Sequence, residues 1–178
     1  IFGDTKYVEA AKKAADFLLK EIRTQDGNLY HRYAKGEKAV LGFLDDYANL
    51  AFGLIELYEA TFDEGYLQAA VGLTKEMILE FWDKDADGFF FTTISADTDI
   101  MRIKQTYDGA VPSGNSVALS NLLRLARLSG ENSFEEYATK LLSAFSGEVK
   151  TQPLGHTYML VGLDFVFGPN FNVVLIGE

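Results

Sequence analysis

The sequence predicts an all-α chain of three helical hairpins with short β-ribbons in its connections. Three observations carry this reading: a segment that recurs three times, helical apolar spacing inside each copy, and connections of unequal length. A chain of 178 residues is long enough for one domain that buries about 70% of its unfolded surface.

The recurring segment opens at Gly3-Asp4-Thr5-Lys6-Tyr7, Phe62-Asp63-Glu64-Gly65-Tyr66 and Gly130-Glu131-Asn132-Ser133-Phe134. Its aromatic precedes Ala11, Ala70 or Ala138 by one helical turn, and Leu18, Met77 or Phe145 by about three turns. In the first copy Val8, Ala11, Ala15, Leu18, Leu19 and Ile22 form one stripe, with Lys12, Lys13, Asp16 and Lys20 off it. The second repeats the stripe with Leu67, Ala70, Val71, Met77, Ile78 and Phe81. Ser133 followed by Glu136 reads as a capping box that opens the third. These are amphipathic outer helices.

Each outer helix leads into a helix of different character. From Tyr47 to Tyr58 apolar residues surround the axis, as in a helix buried on most sides, and Val117–Leu128 and Tyr158–Phe167 are similar. Helix-initiating residues precede them: Asp45 and Asp46, Pro112-Ser113-Gly114-Asn115, and Pro153 to Thr157. The spacing places Asp46, Asn115 and Thr157 in the first turn of each inner helix. The outer-to-inner connections are long and hold the β-prone runs Gly27–Tyr33 and Gly88–Ile94, where ribbons are expected. Inner-to-outer returns take only a few residues. Long loops therefore gather where the inner helices begin, and loops on a rigid scaffold are the usual home of a site. Residues 1–168 form the hairpin domain, and 169–178, with the β-run Phe171–Ile176, read as the start of a further element.

A net charge of -10 with no basic cluster argues against nucleic acid and against anionic membranes as partners. Charges interrupt the apolar residues too often for a membrane span, and no basic stretch precedes an apolar one at the start, so a cytoplasmic location is expected. The absence of cysteine removes disulfides, thiolate metal sites and a thiol nucleophile.

Leu44-Asp45-Asp46-Tyr47-Ala48, Gly88-Phe89-Phe90-Phe91-Thr92, Asp108-Gly109-Ala110-Val111-Pro112-Ser113-Gly114-Asn115-Ser116-Val117-Ala118 and a terminal Val173-Val174-Leu175-Ile176-Gly177 together resemble the YyaL-type family of spermatogenesis-associated thioredoxin-like proteins. The resemblance covers nearly the whole chain. It implies an α/α toroid similar to six-hairpin glycosidases and N-acylglucosamine epimerases, of which this chain is the C-terminal half ring. It also implies a thioredoxin-like domain elsewhere in the longer protein. A half ring leaves apolar flanks on its end hairpins, so the rest of the parent chain or a second copy is the expected packing partner.

The expected function is carbohydrate-related, either sugar binding or glycosidase- or epimerase-like catalysis on a small polyhydroxylated ligand. The competing reading is a non-catalytic toroid scaffold or protein-interaction module. Glycoside hydrolysis needs two carboxyl groups across a sugar. Asp46 is the first choice and Asp108 the second, with Asp45 beside them; a helix N-terminus lowers a carboxyl pKa and so argues against them as acids, and capping by Asp45 or Asp46 with turn formation by Asp108 is the preferred reading. Epimerisation needs paired bases, for which His31 and His156 are the two histidines present. Ser113 and Asn115 offer a polar corner at a helix start, and Tyr47, Tyr107, Tyr30, Tyr33 and Phe90 offer faces for sugar rings. Asp83-Lys84-Asp85-Ala86-Asp87-Gly88 imitates half of a calcium loop, but Ile94 stands where that loop needs its bidentate Glu, so a turn is expected. No phosphate-binding, dinucleotide or paired-histidine metal motif is present, and neither cofactor nor metal is expected.

Overall fold

The computed structural model describes residues 4–24, 27–94 and 101–169. Among these, six α-helices run in the order α1 Thr5–Glu21, α2 Leu44–Thr61, α3 Glu64–Phe81, α4 Gly114–Ser129, α5 Asn132–Thr151 and α6 Thr157–Phe167. A hairpin, β1 Tyr30–Ala34 and β2 Glu37–Leu41, stands between α1 and α2. The proposed strand at Phe171–Ile176 lies outside the described residues.

Outer helices start where the repeat places them. Asp4 caps α1 by accepting from the Lys6 amide, and Asp63 caps α3 by accepting from the Gly65 amide. The third outer helix starts differently from its expectation. Gly130 closes α4 in a left-handed conformation (φ 73°), α5 begins directly at Asn132, and Ser133 falls inside the helix, where it cannot form a capping box with Glu136. Inner helices α2, α4 and α6 have Asp46, Asn115 and Thr157 within their first turns.

Short returns make the tight units. Phe62-Asp63 joins α2 to α3, and Gly130-Glu131 joins α4 to α5, so each inner helix packs closely antiparallel on the outer helix that follows it. Helix α4 also packs between α2 and α6, and Asn121 donates to the Ala48 carbonyl at 2.8 Å across that seam. Helices α1 and α6 stand at the two edges.

Of the two expected ribbons, the first forms a hairpin. Its partner strand, Glu37–Leu41, carries little strand signal, and the turn between them, Lys35-Gly36, has positive φ at both residues (53° and 84°), the geometry of a tight hairpin turn. The second run makes only one bridge, Trp82 to Phe89. The Asn115 side-chain amide accepts the Phe89 N–H and donates to the Phe89 carbonyl, both at 2.9 Å.

The core lies between inner and outer helices, around Tyr47, Leu54, Ile55, Leu73, Met77, Phe81, Phe89, Leu122 and Phe134, all essentially inaccessible. Leu54 is fully buried on α2, at the base of the cleft that α2 forms with α1. Leu54→Ala is expected to destabilise by about 2 to 5 kcal/mol in urea melts.

Candidate functional site

A cleft of about 550 Å³ opens at the start of α2, walled by Ala11, Ala14, Ala15, Leu18 and Ile22 of α1, by Leu29 to His31, and by the α2 face from Asp45 to Leu57. Its polar groups gather at one end. Asp46, the third residue of α2, accepts from the Phe43 amide at 2.8 Å and closes the helix start upon itself. His31 on β1 brings Nδ1 to 2.9 and 3.1 Å from the two Asp46 oxygens. Because a carboxylate only accepts, Nδ1 carries the proton of this contact. Phe43 positions the imidazole edge-on at 5.0 Å and is itself stacked on Phe91 at 4.7 Å.

Asp45 is in a different environment. Successive helical residues point about 100° apart, and Asp45 turns toward the start of α4, where one carboxyl oxygen is buried without a hydrogen-bond partner of proper geometry. Burial pushes its carboxyl above the ordinary range; the nearby Gly114 amide opposes this and the Asp46 charge adds to it. Gly114 is required here, since a Cβ would stand 2.4 Å from that oxygen and 2.7 Å from Leu44. Asn49, one turn beyond, donates to the Asp45 carbonyl at 2.8 Å and lines the same cleft. The cleft thus presents a histidine-paired carboxylate beside a carboxyl group inclined to hold its proton.

The remaining candidates lie elsewhere, occupied by structural work. Asp108, 7% exposed, accepts from the Ser113 amide at 2.9 Å and from the Tyr158 and Met159 amides at 2.8 and 3.3 Å, tying the starts of α4 and α6 together. Ser113 caps α4 and bonds to Ser116. Asn115 is fully buried on Phe89 and the Gln105 carbonyl. Tyr47 is buried against Phe81, receives the Leu29 amide on its hydroxyl and donates to Asn28, so it is a pillar and offers no stacking face. Burial raises its phenol above the usual range. His156, 4% exposed, sits between the Gln152 carbonyl and Thr106, whose hydroxyl reaches Glu148 at 2.7 Å. Only His31 of the two histidines faces the cleft. Tyr107 is exposed, its ring resting on Gly155. Tyr30 lines the cleft, Tyr33 packs edge-on to Phe17, and Phe90 lies beneath Arg102 and Lys104.

Asp83 to Gly88 forms the expected turn, and its centre is taken by Lys104. The ammonium pairs with Asp83 at 2.7 Å and donates to the Ala86 and Asp87 carbonyls. That bond holds the Asp83 carboxyl below its ordinary range. No group of three or more metal-type ligands converges among the described residues. Sequence reading did not single out Phe43, Asn49 or Lys104. Asn49 was detectable, lying on the Asp46 face one turn on, whereas nothing in the sequence links Lys104 to Asp83.

These environments generate three predictions. Asp108→Ala removes a buried acceptor from three amides and is expected to cost about 3 kcal/mol or more by urea denaturation, since charged hydrogen bonds contribute roughly 1.5 to 3 kcal/mol each and do not add fully. His31→Ala, at an exposed pair, is expected to cost less than about 1 kcal/mol. For Asp45 the folded state holds its proton more tightly than the unfolded chain, so stability is fully present below the unfolded pKa and is lost as pH rises through the folded one. Asp45→Asn should therefore raise the melting temperature at pH 7, and the gain should vanish as pH approaches 4.

No family model matches the chain. Spermatogenesis-associated protein 20 of Rattus norvegicus is 33% identical over all of the chain and 24% of its own length. The Homo sapiens protein of that name is 36% identical with the same coverage, and the Mus musculus one 38% over 85% of the chain and 20% of its own length. The chain thus spans about a quarter of these relatives. Among solved structures, a GH76 α-mannanase of Bacteroides thetaiotaomicron superposes with a TM-score of 0.64 at 18% identity, over 83% of this chain and 39% of that one. A family 76 mannosidase of the same species gives 0.65 at 18%, over 80% and 38%. These likenesses establish the fold as that of an α/α toroid. On the shared sequence, homologues named spermatogenesis-associated protein 20, YyaL-like proteins, cover the whole of this chain.

Proposed function

We propose that the cleft at the start of α2 is a carbohydrate site with acid–base capability. In this reading Asp45 delivers its proton to the oxygen leaving the sugar, and Asp46, oriented by His31, acts on the opposite side as base or nucleophile. The observation that carries the reading is the inequality of two neighbouring carboxyl groups in one cleft, since environments that separate two acids set their roles. The α/α-toroid fold and the glycosidase neighbours support the same class of substrate. Asp108, Asn115 and His156 frame the inner-helix starts without contacting ligand, and a small polyhydroxylated molecule is the ligand class.

A second reading, a non-catalytic scaffold, is favoured by the number of polar groups at the helix starts that are consumed internally. The two separate in one experiment. Mono- and disaccharides, mannosides first, are screened by thermal shift, and positive compounds are tested for hydrolysis and epimerisation. A sugar site is expected to show stabilisation that Asp46→Asn or His31→Ala abolishes, with turnover lost in both Asp45→Asn and Asp46→Asn. Because the amide oxygen of Asn can still accept from the Phe43 N–H, Asp46→Asn should leave the fold intact. No stabilisation by any sugar would leave the scaffold reading standing.

A further inference from the structure

The Gln152 carbonyl, His156, Thr106 and Glu148 stand in a row at the start of α6, and the protons between them can be counted. His156 is buried between α5 and the 101–112 connection. Its Nδ1 lies 2.9 Å from the Gln152 carbonyl, which only accepts, so Nδ1 carries a hydrogen. Its Nε2 lies 3.2 Å from the Thr106 hydroxyl, and that hydroxyl lies 2.7 Å from Oε2 of Glu148. Thr106 has one proton to give. Glu148, with 60% of its side chain exposed, is a solvated carboxylate that can only accept it, so the hydroxyl oxygen offers Nε2 lone pairs alone. The 3.2 Å contact is then a hydrogen bond only when Nε2 carries a hydrogen as well.

We propose that His156 is a buried imidazolium, bridged to the Glu148 carboxylate by the Thr106 hydroxyl, and that this bridge is a proton-operated latch on the start of α6. Burial by itself disfavours a charged ring. Two carboxylates oppose it. Glu148 from α5 has Oε2 3.9 Å from Nε2, and Asp108 from the connection binds the Tyr158 and Met159 amides while its own amide donates to the Gly155 carbonyl. The cations on these elements are directed elsewhere: Lys104 pairs with Asp83, and Lys150 lies about 200° round α5 from Glu148. Asp164 follows two turns along α6, and Pro153 to Gly155 and the first turn of α4 carry no charge. The phenols of Tyr107 and Tyr158 belong to a residue type that is neutral where histidine titrates.

With the Nε2 proton gone, Thr106 cannot serve both partners. Turned to Nε2 it abandons Glu148, and turned to Glu148 it faces a bare nitrogen, so one tie between α5, the connection and α6 is lost either way. The unfolded chain has no such bridge. Its stabilisation is therefore present while Glu148 is ionised and His156 charged, and is lost as pH rises through the transition of the folded ring.

With two histidines in the chain, His31→Gln leaves a single imidazole to observe. Long-range 1H–15N spectra of the labelled protein, from about pH 5 to about pH 9, are expected to show both His156 nitrogens protonated at the acid end and Nε2 alone losing its proton as pH rises. Hydrogen-exchange protection of the Met159 and Leu160 amides is expected to fall through the same transition by about tenfold, as for the loss of one hydrogen bond. Glu148→Gln, a substitution at an exposed side chain, supplies an amide that donates to Thr106 and frees the hydroxyl proton for a neutral ring. In that variant the ring transition is expected to move about one unit to lower pH, and the protection to lose its pH dependence. A bare Nε2 at the acid end in the folded chain, a transition that Glu148→Gln leaves in place, or α6 protection that ignores pH would overturn the proposal.

Discussion

The starts of the inner helices are held in place by two short polar side chains. Asp108 gathers the amides that open α4 and α6 onto one carboxylate, and Asn115, one residue into α4, pairs with the Phe89 peptide as a neighbouring strand would. Both are buried, so each unmade bond would leave an amide or carbonyl stranded away from water at a cost of about 1 to 3 kcal/mol. The Asp-Gly-Ala-Val-Pro-Ser-Gly-Asn-Ser segment is therefore a joint between three parts of the chain: the long 101–112 connection, the aromatic run at Phe89, and α6. The joint ties the starts of α4 and α6 to each other and to the aromatic run.

That joint consumes the second-ranked carboxylate, Asp108, and the Asn115 amide, so the first-ranked Asp46 on α2 is the candidate whose surroundings stay open. Asp45 and Asp46 share a helix start and border the same cleft, but point about 100° apart. Asp46 looks toward a histidine delivered by a β-hairpin, and Asp45 toward a glycine that leaves it room but gives it no good bond. The hairpin is thus part of the site, and its tight Lys35-Gly36 turn determines that His31 returns over α2. The same logic separates the aromatics: Tyr47 supports the hairpin base through the Leu29 amide, while Phe43 and Phe91 stack to hold the imidazole.

What the sequence made legible was periodic. The three-fold recurrence located every outer helix, and the all-round apolar runs located the inner ones with Asp46, Asn115 and Thr157 in their first turns. Side-chain pairings across distant segments were not legible. Asp108 reads as a turn residue from its neighbours, and nothing local reveals that Tyr158 supplies one of its donors. Asn115 bonds the Phe89 peptide as a strand neighbour would, a pairing visible only once the chain is folded. Ser133 illustrates a competition that local rules miss, because the left-handed Gly130 set the start of α5 before a capping box could. Among the nominated site residues, His31 and Asp46 meet because β1 folds back over α2, whereas His156 is drawn inward by Thr106 and Gln152.

The Asp83 to Gly88 turn carries its own cation. In a calcium loop the ion is exchanged with solvent and the turn's order follows its concentration; here the positive charge is tethered by a side chain and its local concentration is fixed by the fold. Chelators and calcium should leave this turn unaltered. Acetylation of Lys104 would instead act as the equivalent of removing the ion, stranding Asp83 and loosening the aromatic run whose peptide Asn115 grips. The order of this turn therefore rests on the charge of a single lysine.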